Sequence, residues 1–255
     1  MKTDELSIMS FNIFNGASDR IDKVLEVIKE SNPDICGILE AVNWNEEDIS
    51  LRKKFLSLGY PFFKVFRANS KYNIAVISKK DVTFSDIKKD IKHVVVCLKI
   101  KELDIFFVHL SPISEEERLL ELKEIFCHLN KKSKSIIIGD FNSLSYSDVD
   151  DYKSLLNSFQ LRKIKKFGIN VINFDVIKYL ENNNFVDSLK ILNKPYEFSV
   201  PTPFNQDLSH SEKIRIDYAF LSSNLIDDIS NFEIIKNDLT DSASDHYPIL
   251  LKIKR

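Results

Sequence analysis

Short apolar runs in this sequence end, again and again, in a polar residue able to bind a metal ion or move a proton. In chain order these places are Ser10-Phe11-Asn12, Ile38-Leu39-Glu40, Phe107-Val108-His109-Leu110, Gly139-Asp140-Phe141-Asn142, Arg215-Ile216-Asp217-Tyr218 and Ser244-Asp245-His246-Tyr247-Pro248. Each taken singly has an ordinary structural explanation. Gly-Asp often makes a turn, Asp beside His often caps one, and Glu40 has many lysines to pair with. A carboxylate left at the end of a buried strand is nevertheless costly unless a cation or a donor meets it. Taken together, the set consists of hard oxygen donors and imidazoles, which hold Mg²⁺ or Mn²⁺ loosely while phosphate oxygens complete the shell.

Strands must deliver these groups. Ile/Val/Phe-rich runs bounded by polar residues predict strands over Leu6–Ile13, Ile35–Leu39, Phe62–Phe66, Ile74–Ser78, Val94–Ile100, Ile105–Leu110, Ser135–Ile138, Ile214–Leu221 and Ile249–Ile253. Helical periodicity predicts Asp19–Glu30, with Ile21, Val24, Leu25 and Ile28 on one face, and Glu115–Leu129, with Leu119, Leu122, Phe126 and Leu129 on one face. The second helix opens with a capping box, Ser114 with Glu117. Lys101–Asp104 joins two strands closely enough for a hairpin, so the sheets are expected to be mixed and a plain Rossmann arrangement is disfavoured. The fold class is α/β or α+β, with strands enough for two sheets.

At 255 residues, 44% of them hydrophobic, the chain can bury a sizeable core. No linker, repeat or low-complexity block interrupts it, and one domain over residues 1–255 is expected. The formal net charge of −2 lacks the strong positive field that accompanies binding of long nucleic acid. The three cysteines, Cys36, Cys97 and Cys127, lie far apart in apolar runs and read as small buried thiols in a reducing interior. The N-terminus carries Lys2, Asp4 and Glu5 before a short apolar run, unlike a secretion signal, and no run approaches the ~20 apolar residues that span a bilayer. The expectation is a soluble, cytoplasmic protein without a membrane span, and a monomer.

On the combination of motifs, the sequence resembles the endonuclease/exonuclease/phosphatase superfamily, over residues 6 to 253. Gly139-Asp140-Phe141-Asn142, Arg215-Ile216-Asp217-Tyr218 and Ser244-Asp245-His246-Tyr247-Pro248 are similar to that family's three most diagnostic motifs, in its order and near its spacing. The resemblance implies a four-layered α/β/β/α sandwich, two mixed sheets face to face with helices outside and the active site at one rim. It also implies a divalent-metal-dependent hydrolase of phosphate esters. Under it, Asn12, Glu40 and Asp245 hold Mg²⁺ or Mn²⁺, and Asp217 orients His246. Asp140 orients or deprotonates the attacking water, while Asn142 and His109 donate to the non-bridging phosphate oxygens. Whether Asp140 or His246 takes the proton stays open.

His109 stands where apurinic endonucleases of the family carry tyrosine, and the motif Ser10–Gly16 lacks their Trp-Asn form. The chain therefore resembles the deoxyribonuclease and sphingomyelinase-like members more than the apurinic endonucleases. Leu39 replaces the glutamine of many relatives, so one amide contact to the metal cluster is missing.

Other features compete for attention. Trp44 and Tyr146 are placed on rim loops where aromatic faces can stack on bases, with ordinary packing as the alternative. Lys131–Lys134 and Arg162–Lys166 read as solvated basic faces, the first at a helix end where lysines suit the dipole. His93, His128 and His210 show no partner pattern, and the segment Asp151–Asn184 falls where the family varies. The leading expectation is a phosphodiesterase acting on DNA, RNA or a nucleotide. A phosphatase or phospholipase of the same fold, for phosphoinositide, sphingomyelin or sugar phosphate, is the second. A non-catalytic binding protein, the third, is disfavoured because every ligand position survives.

Overall fold

The structure, a computed structural model, describes residues 5–130, 133–150 and 152–254. The N-terminal residues 1–4 and Lys131-Lys132 of the first basic cluster lie outside the described residues, as do positions 151 and 255. The strands are β1 (Glu5–Asn12), β2 (Ile35–Leu39), β3 (Phe62–Phe66), β4 (Ile74–Ser78), β5 (Thr83–Ile87), β6 (Val95–Ile100), β7 (Leu103–His109), β8 (Lys134–Asp140), β9 (Phe185–Asp187), β10 (Asp217–Ser222), β11 (Ile229–Ile234) and β12 (Ile249–Lys254). They form two six-stranded mixed sheets, ordered β11-β12-β1-β2-β4-β3 and β5-β6-β7-β8-β10-β9.

Within each sheet one central pair is parallel, β1 with β2 and β7 with β8, and its neighbours run antiparallel. Parallel partners bring their C-terminal ends to the same edge. The antiparallel neighbours β10 and β12 begin there. The strand ends carrying the motifs therefore converge for a topological reason rather than through loop geometry.

The sheets pack face to face through Ile8, Ile35 and Val76 on one side and Ile105, Phe107, Ile136 and Ile138 on the other, all fully buried. Gly37 meets Phe107 across this layer, where a Cβ would fall 2.1 Å from the ring. Helices α1 (Ile21–Ser31) and α2 (Ile49–Ser57) cover the outer face of the first sheet, with Val24, Ile28 and Phe55 buried on it. Helices α3 (Glu115–His128) and α5 (Asp175–Asn182) cover the second, and α4 (Tyr152–Leu161) builds a small core of its own with Phe159, Phe167 and Ile214. The mixed sandwich expected from the sequence is the one observed. No helix among the described residues is long and apolar enough to cross a membrane.

Several details differ from expectation. Edge strands β5, β9 and β11 escape a search for apolar runs because polar residues interrupt them and β9 has only three residues. β10 starts at Asp217, not Ile214, because the amides of Ile216 and Asp217 donate to Ser199 Oγ (3.1 Å each) instead of joining the ladder. Of the face expected for α3, Leu122 is fully buried, and Leu119, Phe126 and Leu129 are partly buried against the same core. The helix's most buried residues are Glu115, Arg118, Glu121, Leu122 and Ile125, with Glu115 and Arg118 paired and Glu121 accepting from the amides of Ser111 and Lys92. Only half of its capping box forms, since Ser114 Oγ accepts from Glu117 N (3.2 Å) while the Glu117 carboxylate accepts from Ser111 Oγ (2.7 Å). Of the cysteines only Cys36 is buried; Cys97 is partly exposed, Cys127 is exposed, and all are free thiols.

Candidate active site

Register brings the first groups together. Asp140 ends β8 opposite His109 on one side and Asp217 on the other, so the three residues form one row across the second sheet. Gly139 makes this row possible. Its φ is +147°, and a Cβ would lie 2.0 Å from Val108 O. In the facing sheet Asn12 ends β1 opposite Leu39, and Glu40 follows with a left-handed φ of 57°. Asn142, also left-handed at 49°, donates its backbone N–H to Asp140 Oδ1 (2.8 Å). Left-handed backbone at non-glycine residues is costly, of order 1–3 kcal/mol each, and such strain gathers at sites where side chains must be aimed.

Ser244 couples the C-terminal motif to β1, its hydroxyl donating to Asn12 O at 2.7 Å. This sets Asp245 and His246 over the gap between the sheets. His246 Nδ1 bonds Asp217 Oδ2 at 2.8 Å, and its Nε2 lies 3.8 Å from Asp140 Oδ2. That same Asp140 oxygen accepts from Asn12 Nδ2 (3.2 Å) and lies 3.6 Å from His109 Nε2. Glu40 accepts from Asn15 N (2.8 Å) and, longer, from Asn12 Nδ2 (3.4 Å). Glu40, His109, Asp140, Asn142, Asp245 and His246 line one cleft of about 440 Å³, with Asn12 and Asp217 bonded directly behind it. All eight side chains named from the sequence thus meet at one rim.

Burial and mutual charge set the electrostatics. Burial alone lowers His246, but Asp217, Asp245 and Asp140 around it raise it to about 10. Burial raises Asp140 to about 7 against the opposing pull of His246. Glu40 is raised by burial and by the charge of Asp245, while the Asn15 N–H and the charge of His246 pull it back. Burial holds His109 well below the usual histidine range. Carboxylates crowded this way, with the His246 ring offsetting part of their charge, fit a divalent cation, with Glu40 and Asp245 as hard oxygen donors. Asn12 fits less directly: its Oδ1 accepts from Phe14 N (3.1 Å) and its amide nitrogen faces the carboxylates, so in this conformation it is a donor to Glu40 and Asp140 rather than a ligand.

Three residues belong to the site that the sequence reading set aside. Lys166 is buried in the cleft wall, not solvated, with Nζ 3.1 Å from Asn142 Oδ1 and 3.0 Å from His210 Nε2. His210 stands edge-on to His246 with ring centroids 4.9 Å apart, its Nδ1 3.6 Å from Asp245 Oδ2. His210, Asp245 and His246 form one group of close ligand atoms, and Asp140, Asp217 and His246 form another. His93 packs at 4.5 Å against the His109 ring and bonds Ser70 Oγ at 2.6 Å. The sequence signal was faint: His210 sits in the loop before Asp217, and Lys166 hides in a basic run.

Other expectations resolve as structure. Arg215 does not face the cleft; it is buried against Asp148 (Nε to Oδ2, 2.8 Å) and Asp187 (Nη2 to Oδ2, 2.5 Å), tying the start of β10 to two neighbouring segments. Trp44 packs on Phe55 and donates to Gly16 O (3.0 Å). Tyr146 is exposed but stacks on Tyr152. Neither lines the cleft. His128 pairs with Glu124 on an exposed helix face, and Lys134 pairs with Asp228.

Comparison with known proteins agrees with this geometry. No curated protein matches the chain in sequence. Among solved structures the chain is similar to an AP endonuclease from Archaeoglobus fulgidus, with a TM-score of 0.70 and 19% identity over 96% of this chain and 98% of that one. It is similar to the 3' phosphatase NExo from Neisseria, bound there to a product DNA hairpin, with a TM-score of 0.70 and 14% identity over 98% and 100%. It is also similar to an endonuclease/exonuclease/phosphatase from Beutenbergia cavernae, with a TM-score of 0.64 and 16% identity over 98% and 71%. Identities this low speak for the fold alone. The family model for Endonuclease/Exonuclease/phosphatase, however, matches residues 9–246, a span running from β1 to His246. The chain belongs to the Endonuclease/Exonuclease/phosphatase family.

Proposed function

We propose that this protein is a divalent-metal-dependent phosphodiesterase that cleaves a phosphate ester by in-line attack of water, acting on nucleic acid or a nucleotide. The observation that carries the reading is the shared cleft: carboxylates from both sheets, the Asp217-His246 pair and the amide of Asn142 surround one space. Glu40 and Asp245 would hold Mg²⁺ or Mn²⁺. When bound there, the cation supplies Lewis-acid polarisation of a phosphoryl oxygen and charge for the leaving group.

The chain's own groups account for the rest. Asp140 orients the attacking water and takes its proton as the new P–O bond forms and the ester bond breaks, because the His246 ring, raised to about 10, already carries its own. Asp217 fixes the His246 ring so that Nε2 faces the reacting centre. Asn142 keeps one amide proton on Leu110 O (3.0 Å), leaving the other for a phosphate oxygen, and His109 Nε2 is a second donor. The net charge of −2 favours a short strand or nucleotide over long duplex.

A second reading, a phosphatase or phospholipase of the same fold, is favoured by Ile113 and Leu208, which line the cleft mouth yet remain 48% and 79% exposed. A screen of oligonucleotides, nucleotides, phosphomonoesters and phospholipids with Mg²⁺, Mn²⁺ or EDTA separates the readings. The phosphodiesterase reading expects oligonucleotide or nucleotide cleavage that EDTA abolishes and that Glu40→Gln and His246→Ala lose. Preference for a phosphomonoester or lipid over every oligonucleotide reverses the ranking. Full activity in both variants with metal present defeats the catalytic assignment, and absence of Mg²⁺ or Mn²⁺ binding by calorimetry supports a binding protein instead.

A further inference from the structure

Lys166 is nine-tenths buried, yet it lines the cleft. Its backbone is anchored independently of its side chain, the Lys166 carbonyl accepting from Arg118 Nη2 at 2.5 Å, and Arg118 is itself held by Glu115 and Ser143. An ammonium has three protons to donate. Two have acceptors, Asn142 Oδ1 and His210 Nε2, and the third has none among the described residues. Asp140, Asp207 and Asp245 already offset the charge of Lys166, but a buried donor left unused beside a cleft stays costly until an acceptor reaches it.

The two bonds already made also orient their partners. Accepting from Lys166 fixes the Asn142 oxygen and so leaves its amide nitrogen to donate to Leu110 O and, with its second proton, into the cleft. The donation to Nε2 leaves the His210 proton on Nδ1, which faces Asp245. Resting on the reading of the cleft as a phosphate-ester site, we propose that Lys166 is a phosphate-binding residue: its free N–H donates to a non-bridging oxygen of the substrate phosphoryl group, next to Asn142. A charge-assisted bond of this kind is worth roughly 10- to 100-fold in binding.

The test is titration calorimetry of inorganic phosphate into the Mg²⁺-loaded protein, read for wild type, Lys166→Met, Lys166→Arg and each charge state in an Asn142→Ala background. Loss of phosphate affinity by roughly 10- to 100-fold in Lys166→Met, near-recovery in Lys166→Arg, and a comparable loss from Lys166→Met in the Asn142→Ala background support direct contact. A loss that disappears once Asn142 is absent means that Lys166 acts only through that amide, and overturns the proposal. Unchanged affinity in Lys166→Met overturns it too. Should the methionine variant not fold, Lys166→Gln, which can still donate to Asn142 Oδ1 without charge, carries the same comparison. Lys166-dependent phosphate binding in a protein that hydrolyses no ester leaves this inference standing while the proposed function fails; Glu40-dependent hydrolysis with phosphate binding indifferent to Lys166 does the reverse.

Discussion

His246 Nδ1 and Asp217 Oδ2 are 2.8 Å apart, both buried, and come from segments separated by the whole of β11. The bond fixes which ring nitrogen faces Asp140 and keeps the ring charged beside the carboxylates. Replacing Asp217 by Asn keeps the shape and removes that preference. Under the proposed function, kcat should fall by a factor on the order of 10²–10⁴ with KM changed far less. Steady-state kinetics on the best substrate of the screen decides; an unaltered kcat would remove His246 from the reaction.

Metal binding is expected to show without turnover. If Glu40 and Asp245 hold the cation, Mg²⁺ or Mn²⁺ at a hundred times its dissociation constant stabilises the fold by about 2.7 kcal/mol, because the unfolded chain lacks the site. Thermal unfolding with and without EDTA should show this rise in Tm, and Asp245→Asn should abolish it. A rise of equal size in the variant would put the cation elsewhere.

Arg215 tests the distinction between motif and site. It carries two carboxylate partners in full burial, so Arg215→Met strands Asp148 and Asp187 and should destabilise by roughly 3–5 kcal/mol. Denaturant unfolding measures this, and activity of the remaining folded fraction should stay near normal because the guanidinium is turned away from the cleft.

Glu121 gives a pH dependence that owes nothing to the cleft. Burial raises its carboxyl from 4.5 to about 7, although the amides of Ser111 (2.7 Å) and Lys92 (2.6 Å) favour its ionised form. Between those values the folded chain retains a proton that the unfolded chain has released. This contribution is complete below about pH 4.5 and is lost as pH rises through 7, amounting to at most roughly 3 kcal/mol. Stability of wild type minus that of Glu121→Gln should therefore decline from pH 5 toward about pH 7.5. A flat difference would mean that Glu121 is already ionised at pH 5.

Gly139→Ala should cost roughly 2–4 kcal/mol, since a methyl group there meets Val108 O and the residue must keep a left-handed φ. Circular dichroism melting reports the loss. Any folded remainder should be poorly active, because Asp140 is the next residue.

The sequence by itself determined the class of fold and the strand ends that carry the chemistry. β2, β3 and β4 have the bounds that their apolar runs suggest, and Asn12, Glu40, His109 and Asp140 stand at or just past strand ends. For β2 and β4 that was legible because burial of a strand on both faces leaves an uninterrupted apolar run, and for the edge strand β3 because its apolar residues flank a single exposed Lys64. Tertiary structure alone decided which charges enter the protein. Glu115, Arg118, Glu121, Lys166 and Arg215 look in sequence like any solvated residue, since hydrophobic patterning treats a charge as a surface mark. Each is buried because a partner distant along the chain satisfies it: Lys166 with Asn142 and His210, Arg118 with Ser143, Arg215 with Asp148 and Asp187. Pairing is a property of space, and local sequence does not record it.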